Sequence, residues 1–173
     1  MKIAFYIGNH DKDSVLVRLG WALTRLGQKG PYADVTHVEA IHQEYSNGEV
    51  LIASSSARDG GVRDKRALLT PGNWRIVDVT NWSVELSQAL LAQTRGTAYD
   101  WRGAAATMLP GSQNPSKWFC NEWVASPYLK ASGTFTPSQL MALALSLGDE
   151  VTGDFFASRQ VSGSAWKTSA DLH

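Results

Sequence analysis

The sequence predicts an α+β fold in which one antiparallel sheet packs against helices. Three observations carry that expectation. Polar and apolar residues alternate from Asp34 to Ile41 and again from Trp74 to Val79. The dipeptide Asn47-Gly48, a strong hairpin signal, sits between two strand-like runs. Apolar residues recur at helical spacing in separate stretches before and after these strands, so the strands cluster and do not alternate one by one with helices. With 173 residues, 43% of them hydrophobic, the chain can build one sizeable core. It has no internal repeat or linker-like segment, and 1–173 is read as a single domain whose tail from about Ser162 frays.

In chain order, Lys2 to Ile7 reads as a strand. Asp11 or Asp13 can cap a helix with Leu16, Leu19, Leu23 and Leu26 on its apolar stripe, ended by Gly27 and Gly30-Pro31. The strand Asp34–Ile41 places Val35, His37, Glu39 and Ile41 on one face. A two-residue turn at Asn47-Gly48 pairs Ser46 with Glu49 and, in that register, Ile41 with Ser54 and Glu39 with Ser56. His37 then has Ser56 as a diagonal neighbour, and a slip of one residue would bring Ser55 there instead. A polar turn from Ala57 leads to an irregular strand over Val62–Leu69, and Pro71-Gly72 separates it from Trp74–Val79, giving an antiparallel meander. Asn81 can cap the next helix, whose apolar positions Val84, Leu86, Leu90 and Leu91 run until Thr94-Arg95-Gly96. After the loop Pro110–Lys117, a helix begins at Cys120 and runs toward Pro127, with an irregular continuation to Ser132-Gly133. The last helix opens on Thr136-Pro137-Ser138-Gln139, a capping box with proline in the first turn, and stops at Gly148.

Lysine plus arginine and aspartate plus glutamate number 16 each, so no overall field attracts nucleic acid or an anionic membrane. No apolar run is long enough for a membrane span, and the N-terminus lacks a signal-peptide core, so the expected location is a cytoplasm. The single cysteine excludes an internal disulfide and a cysteine-rich zinc site. The four histidines show no ligand spacing with it, so neither a metal nor another cofactor is expected. Seven tryptophans are many for this length, enough to fill a core and line a cleft.

Trp118-Phe119-Cys120-Asn121-Glu122-Trp123-Val124 sets that cysteine where a helix begins. A lone cysteine often acts as a small hydrophobe. A helix start, however, favours the thiolate, and a histidine on a distant strand supplies the base that a thiol nucleophile needs. His37 fills that place. The backbone N–H of Cys120 and the Tyr99 phenol are candidate oxyanion donors, as acyl transfer requires.

The order of Thr36-His37-Val38-Glu39, a hairpin leading to Gly61-Val62, Tyr99-Asp100-Trp101 and Phe119-Cys120-Asn121-Glu122-Trp123-Val124 resembles the circularly permuted NlpC/P60 papain-like hydrolases, the YiiX/YaeF-like group. In that group the histidine strand precedes the cysteine helix. The serine run and turn from Ser54 to Arg63 also resemble phage and prophage proteins of this type. The resemblance implies a papain-like fold, Cys120 as nucleophile, His37 as general base, Tyr99 near the oxyanion, and a structural Glu122. It places the third polar residue near Ser55 or Ser56, where relatives carry glutamate. Ser56 and Glu39 therefore compete for that role, and the cross-strand argument favours Ser56. Glu39 could instead pair with Arg58 or another basic residue across the hairpin. The implied activity is that of a thiol protease or amidase cleaving an amide, ester or thioester in a peptide, peptidoglycan or acyl-lipid substrate. The alternative is an inactive binding or inhibitory module with a protein partner, encoded by a phage and working in the host cytoplasm.

Overall fold

A computed structural model gives the fold and describes residues 1–8, 14–106, 114, 116–129 and 135–160. Its strands are β1 (Lys2–Tyr6), β2 (His37–Glu44), β3 (Val50–Ser56), β4 (Gly61–Ala67), β5 (Trp74–Val79) and β6 (Gly148–Glu150). They form one antiparallel sheet in the order β4-β3-β2-β1-β5-β6. The helices are α1 (Val15–Gly27), α2 (Val84–Thr94), α3 (Trp101–Ala106), α4 (Cys120–Ala125), α5 (Pro137–Leu147) and α6 (Thr152–Gln160). The α+β class with an antiparallel sheet is as the alternation of residues requires. Among the described residues no helix is long and apolar enough to cross a membrane.

Two apolar layers follow from the period of two along the strands. On one face Phe5, Val38, Ala40, Ala53 and Val77 pack with Leu91 of α2, Trp123 and Val124 of α4, and Leu140, Met141 and Ala144 of α5. On the other, Ala4, Ile41, Ile52 and Ile76 pack with Phe155 and Phe156 of α6. Trp123, fully buried, ties α4 to the end of α2 through Nε1, which donates to Thr94 Oγ1 at 2.9 Å.

Several expectations are corrected. The meander holds only for β2-β3-β4, because β5 pairs with β1 in the sheet centre and not with β4. The hairpin loop is one residue longer than a two-residue turn: Tyr45 N donates to Glu49 O, and Gly48 takes φ +85°. A bulge between Ile41 and Gln43 shifts the register again, so Ala40 faces Ala53 and Ile41 faces Ile52, where Ser54 was expected. Ser83, not Asn81, caps α2, its Oγ accepting from Leu86 N at 3.2 Å. Helix α4 stops at Ala125, short of Pro127, and the expected continuation toward Ser132-Gly133 runs into positions outside the described residues. α3, β6 and α6 were not anticipated. In α1 Val17 and Trp21 are buried and Leu26 is exposed, while the side chains of Leu16, Leu19 and Leu23 are outside the described set. So are Asp11, Asp13, His10, His173, positions 110–113 and 115 of the expected loop and the tail from Ser162. The capping box of α5 forms as expected, with Thr136 and Gln139 exchanging bonds.

Candidate active site

His37 opens β2 and points to the same face as Glu39, two residues on, as the strand period dictates. Its Nε2 lies 2.7 Å from Glu39 Oε1. Glu39, only 1% exposed, also accepts a two-pronged bond from the Arg63 guanidinium of β4: Nη1 to Oε2 at 2.7 Å and Nη2 to Oε1 at 2.6 Å. Arg63 Nε donates in turn to Asp59 Oδ2 at 2.6 Å. The residue that holds the imidazole is therefore Glu39. Ser56 Oγ accepts instead from the Asp59 amide at 3.4 Å, and the preference for Ser56 fails because Glu39, two residues along the same strand, reaches the ring that the cross-strand argument gave to Ser56. Ser55 serves elsewhere, its Oγ donating to Trp118 O at 2.6 Å and so fixing the chain just ahead of the cysteine.

Cys120 is the first residue of α4, with Phe119 as the N-cap. Cys120 is 2% exposed, and it bears on the His37 ring closely enough to favour the imidazolium. The thiol donates to Asn121 Oδ1 at 3.3 Å. Asn121 is pinned by its own Nδ2, which donates to Phe135 O. On the imidazole, Nε2 is taken by Glu39, and the buried Nδ1, which has no hydrogen-bond partner, is the nitrogen left on the other side of the ring. The indole of Trp21 from α1 meets the His37 ring edge-on at 5.7 Å.

Burial alone would lower the His37 pKa. The Glu39 carboxylate and then Cys120 outweigh it and raise the value to about 9. For Glu39 burial favours the neutral acid, but His37 and Arg63 hold the carboxyl at about 2. The imidazole thus keeps its proton, and the carboxylate its charge, across the neutral range.

Tyr99 reaches the site by chain pairing. Tyr99 N donates to Gly60 O, Asp100 N donates to Trp118 O, and Tyr99 bridges to Trp118. Burial, followed by the charges of Cys120 and Asp100, raises the Tyr99 pKa well above its ordinary value, so the phenol remains a donor. Tyr99, Trp21, Cys120 and Asn121 surround a cavity of about 10 Å³, room for roughly one water. A larger cleft of about 270 Å³ lies beyond Trp21, lined by Tyr6, His37, Glu39, Arg63 and Trp74 among others. Glu122 accepts from the Phe119 backbone at the start of α4, the structural part read for it. Burial, opposed by that bond and assisted by Asp100, pushes its carboxyl up to about 7.

His42 lies away from this cluster, with Nε2 2.8 Å from Ser87 Oγ of α2. Among the described residues no group of three or more His, Cys, Asp or Glu could hold a metal ion. Three members of the cluster escaped the sequence: Arg63, Asn121 and Trp21. Only Arg63 left a signal, since a basic partner for Glu39 across the hairpin was foreseeable.

No family model matches the chain, and neither does any curated protein or solved structure.

Proposed function

We propose that the protein is a papain-like cysteine hydrolase that cleaves an amide, or an ester or thioester, through a Cys120 acyl-enzyme. The observation that carries this reading is the alignment of Cys120, His37 and Glu39, in which a buried carboxylate fixes one imidazole nitrogen and leaves the other for the thiol. Once Cys120 is ionised, its sulfur attacks the substrate carbonyl carbon. The oxyanion is met by the Cys120 N–H and the Tyr99 hydroxyl. The scissile bond then breaks as the leaving group takes the proton from His37 Nδ1. The neutral imidazole next draws a proton from water, hydroxide attacks the thioester, and the carbon–sulfur bond breaks to restore the thiolate beside the imidazolium. Peptides, peptidoglycan peptides and acyl lipids are the substrate classes this chemistry serves.

The near-closed setting of the thiol favours a second reading, a non-catalytic module that keeps Cys120 as packing. Trapping separates the two. With p-nitrophenyl acetate, intact-mass analysis should show one acetyl adduct on the wild-type chain and none on Cys120→Ala. In His37→Ala, adduct formation should slow by about 100-fold or more. A wild-type chain that carries no adduct and releases p-nitrophenolate no faster than Cys120→Ala, or an adduct formed equally well in His37→Ala, defeats the hydrolase.

A further inference from the structure

We infer that Arg63 is a positioning residue of this site: by gripping both oxygens of Glu39 it keeps that carboxylate ionised and aimed at His37 Nε2. The inference rests on the reading of His37 as the partner of Cys120. Its basis is geometric. Glu39 is 1% exposed, so its charge cannot be met by water, and the sheet brings it one imidazole and one guanidinium. The two Arg63 contacts have the parallel fork geometry that fixes a carboxylate plane, which a single ammonium contact cannot do. Arg63 is itself anchored, because Asp59 accepts from its Nε, and Lys65 Nζ closes on the same Asp59 at 2.7 Å. A chain of charges thus runs from the β3–β4 turn to the imidazole.

The other charged neighbours do not replace it. His42, on the same strand, feels Glu39 only weakly and lies under burial that favours its neutral form. Arg58 lines the adjoining cleft, and Cys120 bears on the imidazole and not on the carboxylate. With Arg63 gone, burial would push the Glu39 proton affinity up, and the carboxyl would take a proton within a pH range where the wild-type group stays charged. A protonated Glu39 no longer stabilises the imidazolium.

The test is the titration of the His37 ring by NMR, in the full chain without substrate, for wild type, Arg63→Met, Arg63→Lys and the double variant Arg63→Met with Glu39→Gln. The wild-type ring should show no acid inflection above about pH 4. Arg63→Met should gain one, displaced upward by about one pH unit or more from the wild-type carboxyl, and the double variant should lose it. Arg63→Lys should fall between wild type and Arg63→Met, and it supplies the same readout if Arg63→Met does not fold. A folded Arg63→Met, or a folded Arg63→Lys where Met fails, whose His37 titration matches wild type overturns the inference, whatever it does to thermal stability. Because no substrate enters, a wild type with neither acyl adduct nor Cys120-dependent p-nitrophenolate release defeats the hydrolase, while the inflection gained in Arg63→Met leaves the Arg63–Glu39–His37 coupling standing.

Discussion

A carboxylate as deeply buried as Glu39 is tolerated only where its charge is met, and here a cation stands on each side of it. Its effect on His37 is therefore direct and separable from that of Ser56. Glu39→Gln keeps the shape but removes the larger of the two influences that together outweigh burial, so the His37 pKa should fall well below about 9. Ser56→Ala should leave it where it is, since that hydroxyl accepts from the Asp59 amide and not from the ring. NMR titration of the ring reads both, and a shift in Ser56→Ala as large as that in Glu39→Gln would contradict the assignment. The residues themselves were legible: Cys120, His37, Glu39 and Tyr99 all stand out by type and order. The choice between Glu39 and Ser56 was not, because the expected register and the actual register both leave the two on the ring's side of the sheet, and side-chain reach decides between them.

That register shows where element-scale reading stops. Asn47-Gly48 marks a hairpin truthfully, yet it does not say whether the loop holds two residues or one more, and nothing in Ile41-His42-Gln43 announces a bulge. The helix α6 hides for a different reason: Phe155 and Phe156 are adjacent, so they make no helical period, and three-residue β6 exists only through its pairing with β5. The placement of Tyr99, by contrast, depends on one glycine. A Cβ on Gly61 would stand 2.0 Å from Thr97 O, whereas one on neighbouring Gly60 would meet nothing within 4 Å. Gly60→Ala should therefore cost only about 1 kcal/mol, for its positive φ. Gly61→Ala should cost more, on the order of 1–3 kcal/mol for overpacking in addition to the backbone effect, and should slow acyl-adduct formation by displacing Tyr99. Urea unfolding and the adduct assay measure the two effects. Equal losses in both variants would mean that the contact between β4 and the Tyr99 segment does not position the site.

For the whole molecule, the same buried charges set how stability varies with pH. Glu39 and Asp59 have carboxyls held at about 2, against ordinary values of 4.5 and 3.8, so their contribution is present above the ordinary values and is lost as pH falls toward 2. His37 is raised from 6.5 to about 9, so what it contributes is complete below 6.5 and is lost as pH rises through 9. Glu122 has the opposite sense from the other two carboxyls: its pKa is raised from 4.5 to about 7 by burial, so ionisation in the unfolded chain draws stability away between those values. The three effects together place the stability maximum on the acid side of neutrality, between about pH 4.5 and 6.5. Thermal unfolding from pH 3 to pH 9 should show a fall on both sides. The alkaline fall between pH 6 and 9 should be on the order of 1–3 kcal/mol. The variants divide the curve. Glu122→Gln should flatten the slope between pH 4.5 and 7 and leave the alkaline fall, while His37→Gln should remove the alkaline fall and leave the Glu122 slope. A wild-type curve that keeps rising from pH 6 to pH 9 would show that His37 does not hold its proton in the folded chain. The imidazolium required to protonate the leaving group would then have to form during the reaction, with His37 starting as a neutral base.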